Sequence, residues 1–386
     1  MSDLPDGVHL NLPDQQYFDL DALGSTDLVA LFQRRSGWWW KSRHNPDHRR
    51  SSSQPLRFGS ALHALLLEGG RQFEERFAVE PDPRDFQNLL TSSDDIKAHL
   101  AERGIKAPSK LTKPELVEFV MQHDPRAEVW DDIKGRFMAQ LAPEPGRLAR
   151  QAVSASDNRS LRIMADMVME DPDVSPLFEH NEHSLPLSEV SVIYTTAEGV
   201  RRRARLDLMT PPTTGDLKTI DVWDGKPLEF AIPERIARAG YDIQRADYDD
   251  ARVEAYQAIS EGRVYGATAD ELAWLRRFPD EAPNWNWLWL FYQKPDPVAG
   301  QAPVLFPVED QAESLYHVRG RAKKAVAMQT YLRCAAEFGL DRPWREKARL
   351  HFTDRQVAEE FKEPGQSAAV VFAPKWYVDQ EIEGAN

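Results

Sequence analysis

The sequence predicts an α/β or α+β fold, a sheet with helices packed on it. Three observations carry that prediction. Segments with helical periodicity alternate along the chain with short strand-like runs. Hydrophobic residues make up 41% of the 386, enough for a proper core. The most apolar run, NWNWLWLFY from Asn284 to Tyr292, is too short to span a bilayer and reads as a buried strand. The length allows one large α/β domain with an embellishment.

Taken in order, the first helix is STDLVALFQRR, with Ser25 or Thr26 placed to cap it. GWWWKSRHNPDHRRSSSQP follows, basic and rich in turn residues. Trp38, Trp39 and Trp40 stand together there, and at least two of them are expected to anchor the segment to a core rather than stack on bases. In LRFGSALHALLLEGG, the positions Phe58, Leu62, Leu65 and Leu66 follow helical spacing. Gly69-Gly70 ends that helix, and His63 sits within it.

Residues 92–123 read as a separate small unit. A helix from Asp94 to Arg103 stops at Gly104, an extended IKAPSKL linker follows, and Thr112-Lys-Pro-Glu115 is a capping-box start for a second helix. Ile96, Leu100, Leu116, Val117 and Val120 supply a miniature core. The expected organisation is therefore 1–91, the first part of the main domain, then 92–124, a helical insertion, then 125–386, the rest of the main domain. SEVSVIYTT and VRRRARLDLMT flank a turn at Ala197-Glu198-Gly199 and predict a hairpin; TPPTTG then turns into DLKTI. Helices over 244–259 and 312–338 alternate with strands over 285–292 and 303–307.

Net charge is −14, which argues against a general nucleic-acid coat protein. The cations are nevertheless gathered into islands. Arg34, Arg35, Lys41, Arg43, Arg49, Arg50 and Arg57 face one acid, Asp47, and Arg201, Arg202, Arg203 and Arg205 form a second group. The first residues, MSDLPDGVHLNLPDQQ, lack the basic and apolar regions of a signal peptide, and Cys334 is the single cysteine. A soluble cytoplasmic protein without a membrane partner is expected.

The chemistry centres on RLDLMTPPTTGDLKTI. Strand side chains alternate, so Asp216 and Lys218 share a face while Leu217 points away. If strands meet across the turn, Asp207 converges on Asp216, and two such carboxylates repel unless a proton or cation lies between them. A hard divalent ion such as Mg²⁺ suits the pair, and Lys218 beside it can orient a water or stabilise phosphate charge. An isolated D-x-K in a strand is most often a surface ion pair; the upstream aspartate, the turn and the helical histidine argue otherwise here.

These residues resemble the PD-(D/E)xK nuclease signature: Asp207, a turn, then Asp216-Leu217-Lys218-Thr219. Gly59-Ser60-Ala61-Leu62-His63 resembles the G-x-x-x-H helix of its RecB-like branch, and Gln244-x-x-x-Tyr248 the Q-x-x-x-Y helix. Their order, over roughly Ser25 to Trp344, is most similar to the RecE type of exodeoxyribonuclease. Residues 92–123 resemble SAP and helix-extended-loop-helix DNA-binding modules. The resemblance implies a restriction-endonuclease-like core and Mg²⁺-dependent hydrolysis, with Mn²⁺ able to substitute. It implies 5′-to-3′ resection from double-stranded DNA ends, a ring-shaped homo-oligomer, and a single-strand annealing protein as partner. His63, Asp207, Asp216 and the Leu217 carbonyl would hold metal; Lys218 would position water; Gln244 and Tyr248 would touch DNA or order the site. The family's proline has no counterpart before Asp207, where Leu206 stands.

Arg203 and Arg205, on the Asp207 face of their strand, are expected along the DNA track, as are Lys106 and Lys110 of the insertion. Glu189 is expected opposite Arg205 as a cross-strand ion pair rather than a ligand. Glu68 shares a helix face with His63 only loosely, and His44 and His48 suit solvent or phosphate better than metal. Two other classes stay open: a RecB-like nuclease of another kind, endonucleolytic or helicase-associated, and a non-catalytic DNA-binding protein. No Walker A pattern supplies a motor, and the lack of a cysteine cluster excludes iron–sulfur variants.

Overall fold

The computed structural model describes residues 4–48, 54–143, 149–179, 185–222, 225–278, 284–296, 298, 300–345, 349–351 and 368–370. Arg49 and Arg50 of the first basic island lie outside them. The chain divides into two compact units, one of Met1–Val29 with Arg49–Ala327, the other of Ala30–His48 with Met328–Asn386.

The strands are β1 (Gly7–His9), β2 (Phe77–Val79), β3 (Gln151–Val153), β4 (Leu187–Thr195), β5 (Arg201–Met209), β6 (Thr213–Ile220), β7 (Val264–Tyr265), β8 (Asn286–Gln293), β9 (Val304–Asp310), β10 (Arg349–His351) and β11 (Ala368–Val370). The helices that matter most here are α1 (Asp14–Asp19), α2 (Ser25–Arg34), α3 (Gly37–Lys41), α4 (Gln54–His63), α5 (Gly70–Arg76), α6 (Ser93–Glu102), α7 (Lys113–His123), α8 (Trp130–Leu141), α9 (Ala155–Glu170), α10 (Leu228–Ala239), α11 (Tyr241–Ser260), α12 (Ala269–Leu275) and α13 (Leu315–Phe338).

In the first unit a seven-stranded mixed sheet runs in the order β7-β1-β4-β5-β6-β8-β9. β4, β5 and β6 form an antiparallel meander, β6 and β8 are parallel, and β9 returns antiparallel. This is the α/β class expected, a mixed central sheet flanked by helices. β8 shows why: Trp287, Trp289 and Phe291 pack into one core with Ile232 and Ile236 of α10 and Ala251 and Ala255 of α11. Alternate residues Leu288, Leu290 and Tyr292 pack into another with Phe58 and Leu62 of α4 and Leu161 and Met164 of α9. A strand covered on both faces has no polar side to show.

α11 carries buried charge through the core it helps to form. Arg202 pairs with Asp247 at 2.6 Å, both 1% exposed, and Lys324 adds a second cation at 3.2 Å from Asp247. This is the opposite strand face from Arg203, as alternation requires.

Both helices of the small unit form, α7 with its expected capping-box start. Ser92 and Asp95 make a capping box for α6, Thr112 and Glu115 make one for α7, and Gly104 takes φ 73 just past the end of α6. Leu90, Ile96, Leu100, Leu116, Val120, Ala127 and Val129 are its buried core, with Val117 partly covered. Its two ends are tied together, because Leu90 N–H donates to Glu128 O and Trp130 N–H to Leu90 O. No helix among the described residues is long and apolar enough to cross a membrane.

Within the second unit, Trp38, Tyr331 and Trp344 pack against one another edge-on or tilted, with Trp38 and Trp344 centroids 4.8 Å apart. Trp38 and Trp39 are buried, and Trp39 donates its indole N–H to Leu340 O. Two of the three consecutive tryptophans are thus core anchors, while Trp40 is not.

Candidate metal centre

The centre lies where two strands part company. β5 and β6 pair over two rungs, Leu208 with Gly215 and Met209 with Thr214, closed by a turn in which Thr210 and Thr213 exchange backbone hydrogen bonds. Beyond Gly215, β6 continues along β8. Asp207 and Asp216 would form the next rung of the hairpin. There a side chain takes over from the ladder: the Leu217 N–H donates to Asp207 Oδ2 at 2.8 Å.

Past the last rung the two aspartates contact different helices. Leu206 packs in the core beside α11, so Asp207 turns toward α4; Leu217 packs in the core beside α4, so Asp216 and Lys218 turn toward α11. The contacts agree. Asp207 Oδ2 stands 3.7 Å from His63 Nε2 on α4. Asp216 accepts from Gln244 on α11, and the Lys218 ammonium lies 4.9 Å from the ring centre of Tyr241 on the same helix.

His63 ends α4 and is followed by a π-helical turn, Ala64–Glu68. Such a turn breaks the helical register and often marks a functional position. His63 Nδ1 faces Glu189 Oε1 at 3.4 Å, so the imidazole bridges Glu189 and Asp207. Ligand atoms of these three side chains all lie within 4.8 Å of one another.

Glu189, expected only as the partner of Arg205, also stands in this cluster. The β4–β5 hairpin is centred on Glu198, not Ala197: Ser191 pairs with Arg205, and Ser188 and Val190 with Leu208 and Leu206. Glu189 therefore stands opposite Asp207, two residues from its expected partner. The signal was Gly199, whose φ of 77 closes a three-residue loop between Thr196 and Val200. Glu189 itself is held at φ 52, a left-handed conformation uncommon outside glycine. Its second oxygen keeps the expected ion pair with Arg205, at 3.8 Å.

Electrostatics follow from crowding. Burial alone would strip the proton from His63, yet Asp207 and then Glu189 outweigh it and push the imidazole up to about 9. Asp216, 0% exposed, is raised by burial and by the Asp207 charge, against the pull of Lys218. Lys218 lies 2.6 Å from both of its oxygens and is raised by Asp216 and Asp207 despite its own burial. Burial likewise raises Tyr248, which shares a hydrogen bond with Gln244.

The donor set suits a divalent cation. Opposite ligands at ~2.0–2.5 Å from one ion are ~4–5 Å apart, close to the span found here. Two carboxylates suit Mg²⁺ or Mn²⁺, and imidazole favours the transition ion. The three-residue cluster contains His63 and Asp207 of the expected ligands, replaces Asp216 by Glu189, and leaves Asp216 with Lys218 and Gln244.

The expected DNA-track arginines are occupied. Arg203 donates to the carbonyls of Tyr17, Phe18 and Leu20, and Arg205 to Asp14, Leu12 O and Ser191. Both guanidiniums also lie over the Tyr17 ring. Their visible work is to fasten residues 12–20 to β5. Lys106 and Lys110 are exposed on the linker between α6 and α7. Compared with known proteins, the chain matches no protein-family model and no curated sequence.

Proposed function

We propose that the chain is a metal-dependent DNA nuclease of the restriction-endonuclease-like fold, acting on the ends of linear duplex. The observation that carries this reading is the convergence of His63, Glu189 and Asp207 beside an Asp216–Lys218 pair, at the point where β5 and β6 separate. A bound Mg²⁺ or Mn²⁺ would supply a Lewis acid for a phosphodiester oxygen and lower the pKa of an attacking water. His63, Glu189 and Asp207 would hold it, which requires His63 to give up its proton.

The remaining residues divide the work. Asp216 fixes the Lys218 ammonium, and the Tyr241 ring confines it from another side. Lys218 is then placed to orient water or to stabilise charge on phosphate. Gln244 ties Asp216 to α11, and Tyr248 holds Gln244 in turn. The resemblance to the RecE type supports 5′-to-3′ resection, a ring-shaped oligomer and a strand-annealing partner, each part of the same proposal.

The test is digestion of linear and covalently closed circular duplex with Mg²⁺ or Mn²⁺, against EDTA. Loss of the linear substrate alone is the expected result. Cleavage of closed circles would replace the exonuclease by an endonuclease. Digestion of neither by folded protein would overturn the nuclease reading.

A further inference from the structure

Asp14 opens α1 with its side chain 47% exposed, yet both of its carboxylate oxygens are engaged. Oδ1 accepts from Arg205 Nη1 at 2.6 Å, and Oδ2 accepts from Arg76 Nη2 at 3.0 Å. Arg76 also donates to Glu68, the last residue of the π-helical turn that follows His63. On the other side, Arg205 Nη1 stands 3.8 Å from Glu189 Oε2. Charges of alternating sign thus run Glu68, Arg76, Asp14, Arg205, Glu189, from the turn after His63 to the residue facing it.

The spacing at Glu189 is the informative one. A guanidinium beside a free carboxylate ordinarily closes to about 2.7–2.9 Å and forks both oxygens. Arg205, 8% exposed, stops about 1 Å short of that distance. The rest of its guanidinium is committed: Nε donates to Ser191 Oγ at 2.9 Å, Nη2 donates to Leu12 O at 2.8 Å, and the Tyr17 ring centre lies 4.2 Å away. Asp14 takes the remaining nitrogen, Nη1, in preference to Glu189. Among the described residues, Glu189 Oε2 accepts no hydrogen bond, and Oε1 meets only His63, at 3.4 Å. A fork from Arg205 would instead fill the lone pairs that a divalent ion needs.

We propose that Asp14 is a positioning residue for the metal centre: by occupying Arg205 Nη1 it keeps Glu189 open to a divalent cation. The inference rests on the reading of His63, Glu189 and Asp207 as ligands, and on nothing about DNA. Arg205 then stands near enough to orient the Glu189 carboxylate and too far to capture it. Arg76 fixes the other oxygen of Asp14 and so keeps that carboxylate turned to its task. Residues 12–20, fastened to β5, reach the chemistry through this one side chain.

The experiment is calorimetric titration of Mn²⁺ into the full chain without DNA, which reads the metal centre whether or not the protein cleaves anything. Asp14→Asn leaves Arg205 without its anionic partner, and the guanidinium can close on Glu189. Mn²⁺ affinity should then fall ~10-fold or more, the scale for partners that stand behind a ligand. The decisive comparison repeats this change in an Arg205→Gln background. With no guanidinium to restrain, Asp14→Asn should alter Mn²⁺ affinity by less than about twofold. A carboxylate acting only through its own charge, or through the docking of α1, would give the same loss in both backgrounds. Urea midpoints identify any variant that has lost its fold. Arg205→Lys, whose single nitrogen cannot fork a carboxylate, replaces the glutamine variant in that case and should shrink the loss in the same way. Equal losses in the two backgrounds, or unchanged affinity in a folded Asp14→Asn chain, would overturn this inference alone. No Mn²⁺ binding by the wild type would overturn the metal-centre reading and this inference with it.

Discussion

At the scale of single residues, Glu189 divides the functional reading from a structural one. If it ligates metal, Glu189→Gln should weaken Mn²⁺ binding, read by isothermal titration, while the fold survives. Even partners outside the ligand shell cost ~10–100-fold when lost, so a direct ligand should cost no less. If it only held Arg205, the variant would lower the urea midpoint and leave Mn²⁺ affinity alone. Lys218→Ala should keep Mn²⁺ binding, because the ammonium is no ligand, but cut single-turnover cleavage by ~10²–10³. Full activity in that variant would make Asp216-Leu217-Lys218 an ordinary strand. The arginines of β5 are expected to differ in kind. Arg202→Ala leaves Asp247 buried with Lys324 as its remaining cation, so it should destabilise the fold by ~3 kcal/mol or more. Arg203→Ala frees three carbonyls of a partly exposed segment and should cost less, about 1–2 kcal/mol. Equal urea midpoints for the two would show that burial does not separate them.

Among the elements, the α6–α7 insertion has an acid sensitivity written into its caps. Asp95 is held down at about 2 by hydrogen bonds from Ser92 and Thr91, Glu115 is lowered by Thr112, and Asp124 is lowered chiefly by its hydrogen bond with His99. All three have folded values below the unfolded ones. Their stabilisation is therefore complete above the ordinary carboxylate range, near pH ~4, and is lost as pH falls toward ~2. Methyl and amide NMR signals of residues 90–130 should broaden or shift to unfolded positions in that window. Unchanged signals down to pH ~2 would contradict it. This element was also the most legible in the sequence, since caps and a small core are local features that need no knowledge of the rest. The β4–β5 hairpin was legible in kind but not in register. One residue's error in the turn centre moves each cross-strand partner by two, and that alone hid Glu189 behind Arg205. The partners of Arg203 and Arg205 in and around α1 could not be read, because they lie 183 to 193 residues earlier.

For the molecule as a whole, composition and periodicity were enough for a sheet flanked by helices, α/β or α+β, and the 284–292 run was enough for a buried strand. They were not enough for strand order. β8 enters between β6 and β9 by a parallel pairing that no short-range signal announces. The position of β8 has a consequence for motion. Its amides are bonded on both sides and shielded from water on both faces, so they can reach solvent only when the two cores come apart together. In deuterated buffer, amide protons of Leu288 to Tyr292 should be the last to exchange, at the free energy of global unfolding. The insertion hangs from the rest by the Leu90–Val129 closure and has a core of its own, so it can open without disturbing that strand. Two well-separated exchange clocks in one chain would follow, a fast one for residues 90–130 and a slow one for β8.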